Sequence, residues 1–420
     1  MNKTLSRKIN KKLNKRKNKT IKKNKKININ LQTDVEPVIQ SNFEGGSIIQ
    51  KKMIIKPKKT TFILEFEYDT PHKSGKDDIS SSWFYFSVNH ILFKNCDFFI
   101  NNAPILHNQT WRYYEAVYSY DNKHWKYLKN TKFDSESLSF SIKPTENKIY
   151  FAYYIPFKKK DSNAIRIMLE ESFLTKKNSF RFKKINIGKS VKGIPMFAYK
   201  ISNKKYEKCN KNLWLIAGQH PNETIGIFTL KGFLLKLLKD NAELCKHYNI
   251  YFVIQCNPDG NYYGKSRLNY KGFNLNRCWI KTKYQECPEV FNLKRAIENY
   301  GCNMLVDFHG DEQSKKHFIT YNDSYNEKHN QKIEEIKAVI SNRNENFQIK
   351  DFYLEDDLEQ QHNPSGTADD YGESIMNAVS FTVEGAIQHK KYSTKKYIEK
   401  NILKESYKLG SDIYVAIKTI

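Results

Sequence analysis

The sequence predicts an α/β domain preceded by an antiparallel β-sandwich. Three observations carry that prediction. From about residue 166 onward, short apolar runs of strand length alternate with helical patterns. Residues 41–165 instead crowd aromatic and β-branched runs together with turn signals and little helical periodicity. Residues 1–40 show neither pattern, and the chain of 420 residues is long enough for two or three domains.

The first segment, residues 1–40, reads as a basic disordered tail. Residues 1–30 hold 13 Lys or Arg and no Asp or Glu, half of the net charge of +26 that 71 basic against 45 acidic residues create. So few apolar residues cannot bury enough surface to fold alone. Two readings stay open: an arm that contacts nucleic acid or another polyanion, or a plain leader in a chain rich throughout in Lys, Asn and Ile. The tail has no continuous apolar core and no small-residue cleavage site, which argues against a secretory signal. No window approaches a membrane span, so no membrane contact is expected. The cysteines at 96, 209, 245, 256, 278, 287 and 302 are scattered and form no CxxC pair, as expected of free thiols in a reducing, cytoplasmic setting.

In the sandwich segment, residues 61–68, 83–88 and 148–154 are strand-length runs, and Tyr120-Asp121-Asn122-Lys123 is a turn between them. In the α/β segment, residues 166–420, strands are expected over 213–217, 250–255, 304–308 and 378–383, with a helix over 225–238. Candidate site residues follow these strands directly, which is where open α/β sheets place their sites.

The chemistry begins at His220-Pro221-Asn222-Glu223. One turn presents both His220 and Glu223 to a single ion, and His309, in Val306-Asp307-Phe308-His309-Gly310, supplies a second imidazole from a distant segment. Two His and one Glu with an open fourth position is a usual zinc set in hydrolytic sites. Arg267 and Asn276-Arg277 lie in a Lys/Arg/Asn-rich loop. They read either as groups that bind a carboxylate and an oxyanion or as a solvated basic loop. Glu384, at the end of an apolar strand, is either a general base aimed into a pocket or a solvated strand end. Asp307 orients a ligand or simply ends its strand. Trp279 and Tyr270 read as packing residues.

Taken in order, HPNETIG, NPDG, SRLNYKGFNLNRCW, DFHGDE and FTVEG resemble the metallocarboxypeptidase family that includes carboxypeptidase A, and within it the cytosolic carboxypeptidase subfamily. Trp83-Phe84-Tyr85-Phe86, Tyr118-Ser119 and residues 150–157 resemble that subfamily's sandwich motifs, so the similarity covers roughly residues 60–390. The resemblance implies a mixed-sheet zinc carboxypeptidase domain after the sandwich. It further implies that His220, Glu223 and His309 hold one zinc ion per chain and that Arg267 polarises the scissile carbonyl. Asn276 and Arg277 would grip the terminal carboxylate of a peptide or protein tail, and Glu384 would act as general base.

Two positions depart from the family pattern. Asn274 stands where Asp often supports the first zinc His, so the imidazole would meet a less charged partner. Asp369 stands where Arg is common in the pocket for the last side chain. There it would attract Lys or Arg and repel Glu, unless the loop is shifted and Asp369 or Asp370 is merely exposed. Tyr371 is the nearest candidate for a Tyr that closes over the substrate, but its spacing to Glu384 does not match. Two rival readings remain: a zinc amidohydrolase of the aspartoacylase type, and a polyanion-binding protein with a vestigial site.

Overall fold

Alternation of buried and exposed side chains builds the N-terminal part of this computed structural model, which describes residues 35–71, 82–103, 111, 114–134, 136–208, 211–323, 326–350, 366–387 and 402–420. The basic stretch expected over residues 1–30 lies outside the described residues, as does Cys209; the other six cysteines are free thiols. The strands here are β1 (Val38–Gln40), β2 (Ile49–Lys56), β3 (Lys59–Glu65), β4 (Tyr85–Asn89), β5 (Asn95–Asn101), β6 (Val117–Ser119), β7 (Lys126–Tyr127), β8 (Lys132–Phe133), β9 (Leu138–Ile142) and β10 (Lys148–Ala152). They form two five-stranded sheets, ordered β1-β4-β10-β6-β7 and β2-β3-β5-β9-β8. The inner faces meet through aromatic rings: Phe98 of one sheet lies 4.7 Å from Phe151 and 6.0 Å from Phe86 of the other. The pairing is antiparallel except between β3 and β5, which run parallel. The chain passes through β4 in the opposite sheet between them, and such a crossover returns a strand in the same direction.

The helix α1 (Lys159–Leu174) follows, burying Ile165, Leu169 and Phe173 along one stripe. Beyond it come β11 (Phe180–Lys189), β12 (Pro195–Asn203), β13 (Lys211–Ala217), α2 (Thr224–Lys239), β14 (Tyr248–Val253), α3 (Pro258–Tyr262), α4 (Pro288–Tyr300), β15 (Met304–Asp311), β16 (Phe318–Thr320), α5 (Glu327–Arg343), α6 (Ala368–Ser374), β17 (Val379–Ala386) and α7 (Lys404–Thr419). The seven-stranded sheet has the order β11-β12-β14-β13-β15-β17-β16. Its centre, β14-β13-β15-β17, is parallel, and antiparallel strands flank it on both sides. Both faces of the centre are covered. Leu213, Leu215 and Ala217 of β13 join one core cluster while Trp214 and Ile216 join the other. That two-sided burial is why the run was apolar without alternation.

The site depends on how closely α2 approaches the sheet. A Cβ on Gly226 would lie 2.4 Å from the Phe308 carbonyl oxygen, so only glycine lets the helix rest on β15 at this point. Gly232 and Gly410 play the same part where α2 crosses α7. No helix among the described residues is long and apolar enough to cross a membrane.

Candidate metal centre and active site

Two loops and two strands converge on Glu223. The β13 strand ends at Ala217, and the following turn carries His220 and leads into α2, with Glu223 as the residue just before its first turn. His309 belongs to β15 itself: the strand runs through Asp311 and not only to Phe308 as the sequence suggested, because Gly310 and Asp311 still pair with Gly385 and Ala386. His220 Nδ1 lies 2.7 Å from Glu223 Oε1, and His309 Nδ1 lies 2.7 Å from Glu223 Oε2. All three side chains are buried, and one ligand atom from each falls within 4.8 Å of the others.

The donor set fits a cation. His220 Nε2 faces Asn274 Oδ1 at 3.0 Å, and that oxygen also accepts from the Asn276 N–H at 3.0 Å, which fixes it as an acceptor. His309 Nε2 faces Asp307 Oδ2 at 2.8 Å. Both Nε2 atoms therefore carry a proton, and both Nδ1 atoms are directed at the Glu223 carboxylate. With Nε2 committed to those partners, Nδ1 is the atom that each imidazole can offer to a shared cation. Partners on the far ring nitrogens are what orient imidazole ligands. Asn274 thus stands where the sequence reading put it, beside the first His, and Asp307 stands in the same relation to the second.

Electrostatics set the two imidazoles of the cluster apart. Burial, then the Arg267 charge, push His220 down to about 4. Burial disfavours the charged form of His309 too, but Asp307 and Glu223 outweigh it and raise that imidazole well above its ordinary range. Burial would raise Glu223, yet the two imidazoles hold it well below the usual carboxylate range.

Glu384 is the register partner of His309 in the parallel β15–β17 ladder. Paired residues of adjacent strands share a face, so its carboxyl group stands beside the cluster. Its Oε2 is buried without a hydrogen-bond partner. Burial, then the carboxylates of Glu223, Asp311 and Asp307, push its pKa well above the usual value, against the pull of His309.

Arg267 is partly buried with Nη1 3.5 Å from His220 Nδ1. Asn276 is buried, and its Oδ1 accepts from Gln219 Nε2 at 3.1 Å and from the Ala368 N–H at 2.9 Å, which turns its Nδ2 outward as a donor. Arg277 is exposed and donates from Nη1 to the Asn276 carbonyl at 2.8 Å. Asp369, in the first turn of α6, is nine-tenths buried; burial, then Asp370 and Asp307, push it up to about 6. The Ala368–Asn276 bond and the charge of Asp307 put it near Asn276. Tyr371 is fully buried, bonds to Glu298 Oε1 at 3.1 Å and packs on Trp279, so in this structure it is a core residue.

Sequence reasoning missed several supporting residues. Gln219 donates to Asp307 Oδ2 at 2.5 Å as well as to Asn276, and accepts from Trp279 Nε1 at 2.8 Å. Trp279 therefore both packs and fixes the amide that links Asp307, beside His309, to Asn276. Its place beside His220 was the only signal for Gln219. Asp69 and Ser82 of the sandwich reach the Arg267 loop, and no local pattern marked either.

Comparison with known proteins gives the family and the fold. The zinc carboxypeptidase family model matches residues 171–406, and the cytosolic carboxypeptidase N-terminal domain model matches residues 39–154. An uncharacterized protein of Zymomonas mobilis is 27% identical over 280 residues, 65% of this chain and 67% of its own. Cytosolic carboxypeptidase 2 of Xenopus tropicalis is 24% identical over 324 residues, 70% of this chain but 32% of its own length. The chain thus spans about a third of that relative. A metallo-carboxypeptidase of Burkholderia cenocepacia superposes with a TM-score of 0.79 over 92% of this chain and 98% of its own, at 24% identity, a likeness of fold.

Proposed function

We propose, from the premise that this chain belongs to the zinc carboxypeptidase family, that it is a zinc-dependent metallocarboxypeptidase that removes C-terminal residues from peptides or protein tails. The observation that carries the reading is the convergence of His220, Glu223 and His309 with Glu384 beside them on the same sheet face. These three residues would hold one zinc ion per chain; among the described residues they are the one cluster able to do so. Zinc at that position supplies Lewis acidity and acidifies a water molecule.

The remaining work falls to the chain. Asn276 Nδ2 and the Arg277 guanidinium bind the terminal carboxylate of the substrate, which restricts cleavage to the last residue. The Arg267 guanidinium donates to the scissile carbonyl and stabilises the negative charge that develops there. Glu384 takes a proton from the attacking water and returns it to the leaving amine, a role supported by its carboxyl group standing beside the cluster with Oε2 buried and without a hydrogen-bond partner. Asp369 sits near the substrate's final side chain and favours Lys or Arg. The domain division we propose keeps the expected tail over 1–40, sandwich over 41–165 and catalytic domain over 166–420, with the first boundary drawn back to Val38, where β1 joins the sandwich, and the second to Lys159, where α1 begins. A cytoplasmic location is supported by the subfamily of the N-terminal match, and residues 1–30 are a candidate polyanion contact.

The test offers purified protein a peptide library with free C-termini, the same peptides amidated, and N-acyl amino acids, each followed by mass spectrometry alongside elemental analysis. Loss of single C-terminal residues from the free peptides alone, with near-stoichiometric zinc, is expected. Hydrolysis of acyl amino acids with the peptides untouched would instead make it an amidohydrolase. Salt-sensitive nucleic-acid binding without hydrolysis would make it a polyanion-binding protein.

A further inference from the structure

The loop that carries Arg267 is held from outside the catalytic domain. Ser266, Arg267 and Leu268 turn three consecutive backbone N–H groups toward one point, and that point is the Asp69 carboxylate. Ser266 N–H donates to Oδ1 at 3.0 Å, Arg267 N–H to Oδ2 at 2.7 Å and Leu268 N–H to Oδ2 at 2.8 Å. Asp69 follows β3 of the sandwich and lies 197 to 199 residues from these partners in sequence. It is 3% exposed. Burial raises its pKa while the three N–H groups and Lys265 oppose that rise. A carboxylate buried this deeply is tolerable only with such a set of donors.

The sandwich grips the same loop a second time. Ser82 N–H donates to Ser266 Oγ at 2.9 Å, and Ser82 Oγ accepts from Asn222 Nδ2 at 2.7 Å. Asn222 N–H in turn donates to the Ser266 carbonyl at 3.0 Å. Asn222 lies between His220 and Glu223, so these bonds tie the Arg267 loop to the loop that carries two metal ligands. The Arg267 side chain leaves from the middle of the clamped tripeptide and ends 3.5 Å from His220.

We propose that Asp69 is a positioning residue for the carboxypeptidase reaction: by fixing the backbone of residues 266–268 it aims the Arg267 guanidinium at the scissile carbonyl, so that the sandwich completes the active site. The inference rests on the function proposed above. A carboxylate that merely closed a domain seam would need no particular relation to a side chain emerging from its centre. Here both amides that flank the Arg267 Cα, and the one before them, belong to the clamp.

The test uses the full chain and a peptide with a free C-terminus. Asp69→Ala should retain zinc and lower kcat by about 10–100-fold, the scale of a misplacement near 1 Å, with KM changed only a few-fold. Asp69→Asn keeps one acceptor oxygen and turns an NH₂ toward the remaining donors, so its kcat should fall between the two. It also decides the matter if the Ala variant does not fold. The discriminating measurement repeats each substitution in an Arg267→Ala background. Once the guanidinium is gone there is nothing to aim, and removing the Asp69 carboxylate should cost less than about threefold more, a large departure from additivity. Equal losses in both backgrounds would reduce Asp69 to a structural anchor and overturn this inference alone, as would full activity of Asp69→Ala. A wild type inert on free peptides would overturn the carboxypeptidase reading and this inference with it.

Discussion

Gly226→Ala should loosen the metal centre without touching a ligand. The added Cβ would sit 2.4 Å from the Phe308 carbonyl oxygen, 2.7 Å from its carbon and 3.0 Å from the His309 nitrogen. These are backbone atoms of a central strand, unable to swing aside. Ordinary contact begins at 3.4 Å, so α2 and β15 must separate by about 1 Å. Glu223 stands at the start of α2, and His309 is on β15, now 2.7 Å from it. The two ligands would move apart by several times the roughly 0.2 Å that metal–ligand distances tolerate. Overpacking of this kind costs about 1–3 kcal/mol of stability. Zinc affinity should fall by about 10-fold or more, the scale seen when ligand supports are lost. Competition with a chromophoric chelator gives the affinity, and calorimetry of the metal-free protein gives the stability. A variant that binds zinc within twofold of the wild type, with an unchanged apo Tm, would refute the reasoning.

Three other outcomes are expected. Glu384→Gln should keep zinc bound while kcat falls about 10²–10⁴-fold, the usual contribution of a general acid–base group; zinc lost from this variant by elemental analysis would make Glu384 a ligand. The rate ratio for peptides ending in Lys over Leu should rise as pH climbs through about 6, where Asp369 loses its proton, and fall below it, since only the carboxylate attracts a cation; Asp369→Asn should flatten that profile, and a profile unchanged by the substitution would place Asp369 outside the side-chain pocket. Deleting residues 1–33 should leave kcat/KM on a short neutral peptide within a few-fold, and a collapse of activity in a folded truncation would contradict that.

What the sequence made legible follows the range of each interaction. His220 and Glu223 sit three apart, so a single turn brings them together and the spacing alone suggests a shared ion. The apolar strands were legible because both faces of the sheet are covered. The β11 strand was not: its run Phe180–Lys189 is mostly polar at the sheet edge and holds its place through pairing with β12. His309 and Glu384 were visible as residues after apolar runs, but their being side by side is a fact of register across the β15–β17 ladder. Asp69 was invisible because it recognises backbone N–H groups, which every residue but proline offers. Nothing at Ser266 or Leu268 announces such a partner.

The pairing of His309 with Glu384 also works as a ruler. The distance between His309 and Glu384 is set by rungs of a hydrogen-bonded ladder, with β16 clamping the outer side where Phe318 meets Glu384. Chain inserted between α5 and α6 therefore cannot lengthen that distance, because it adds no residue to either strand of the ladder. A single residue added inside β17 would turn Glu384 to the opposite face of the sheet and take its carboxyl group away from His309. Variation in this protein's lineage is thus expected to accumulate in the connecting segments, which can reshape what the pocket admits, while the spacing of the reacting groups stays constant.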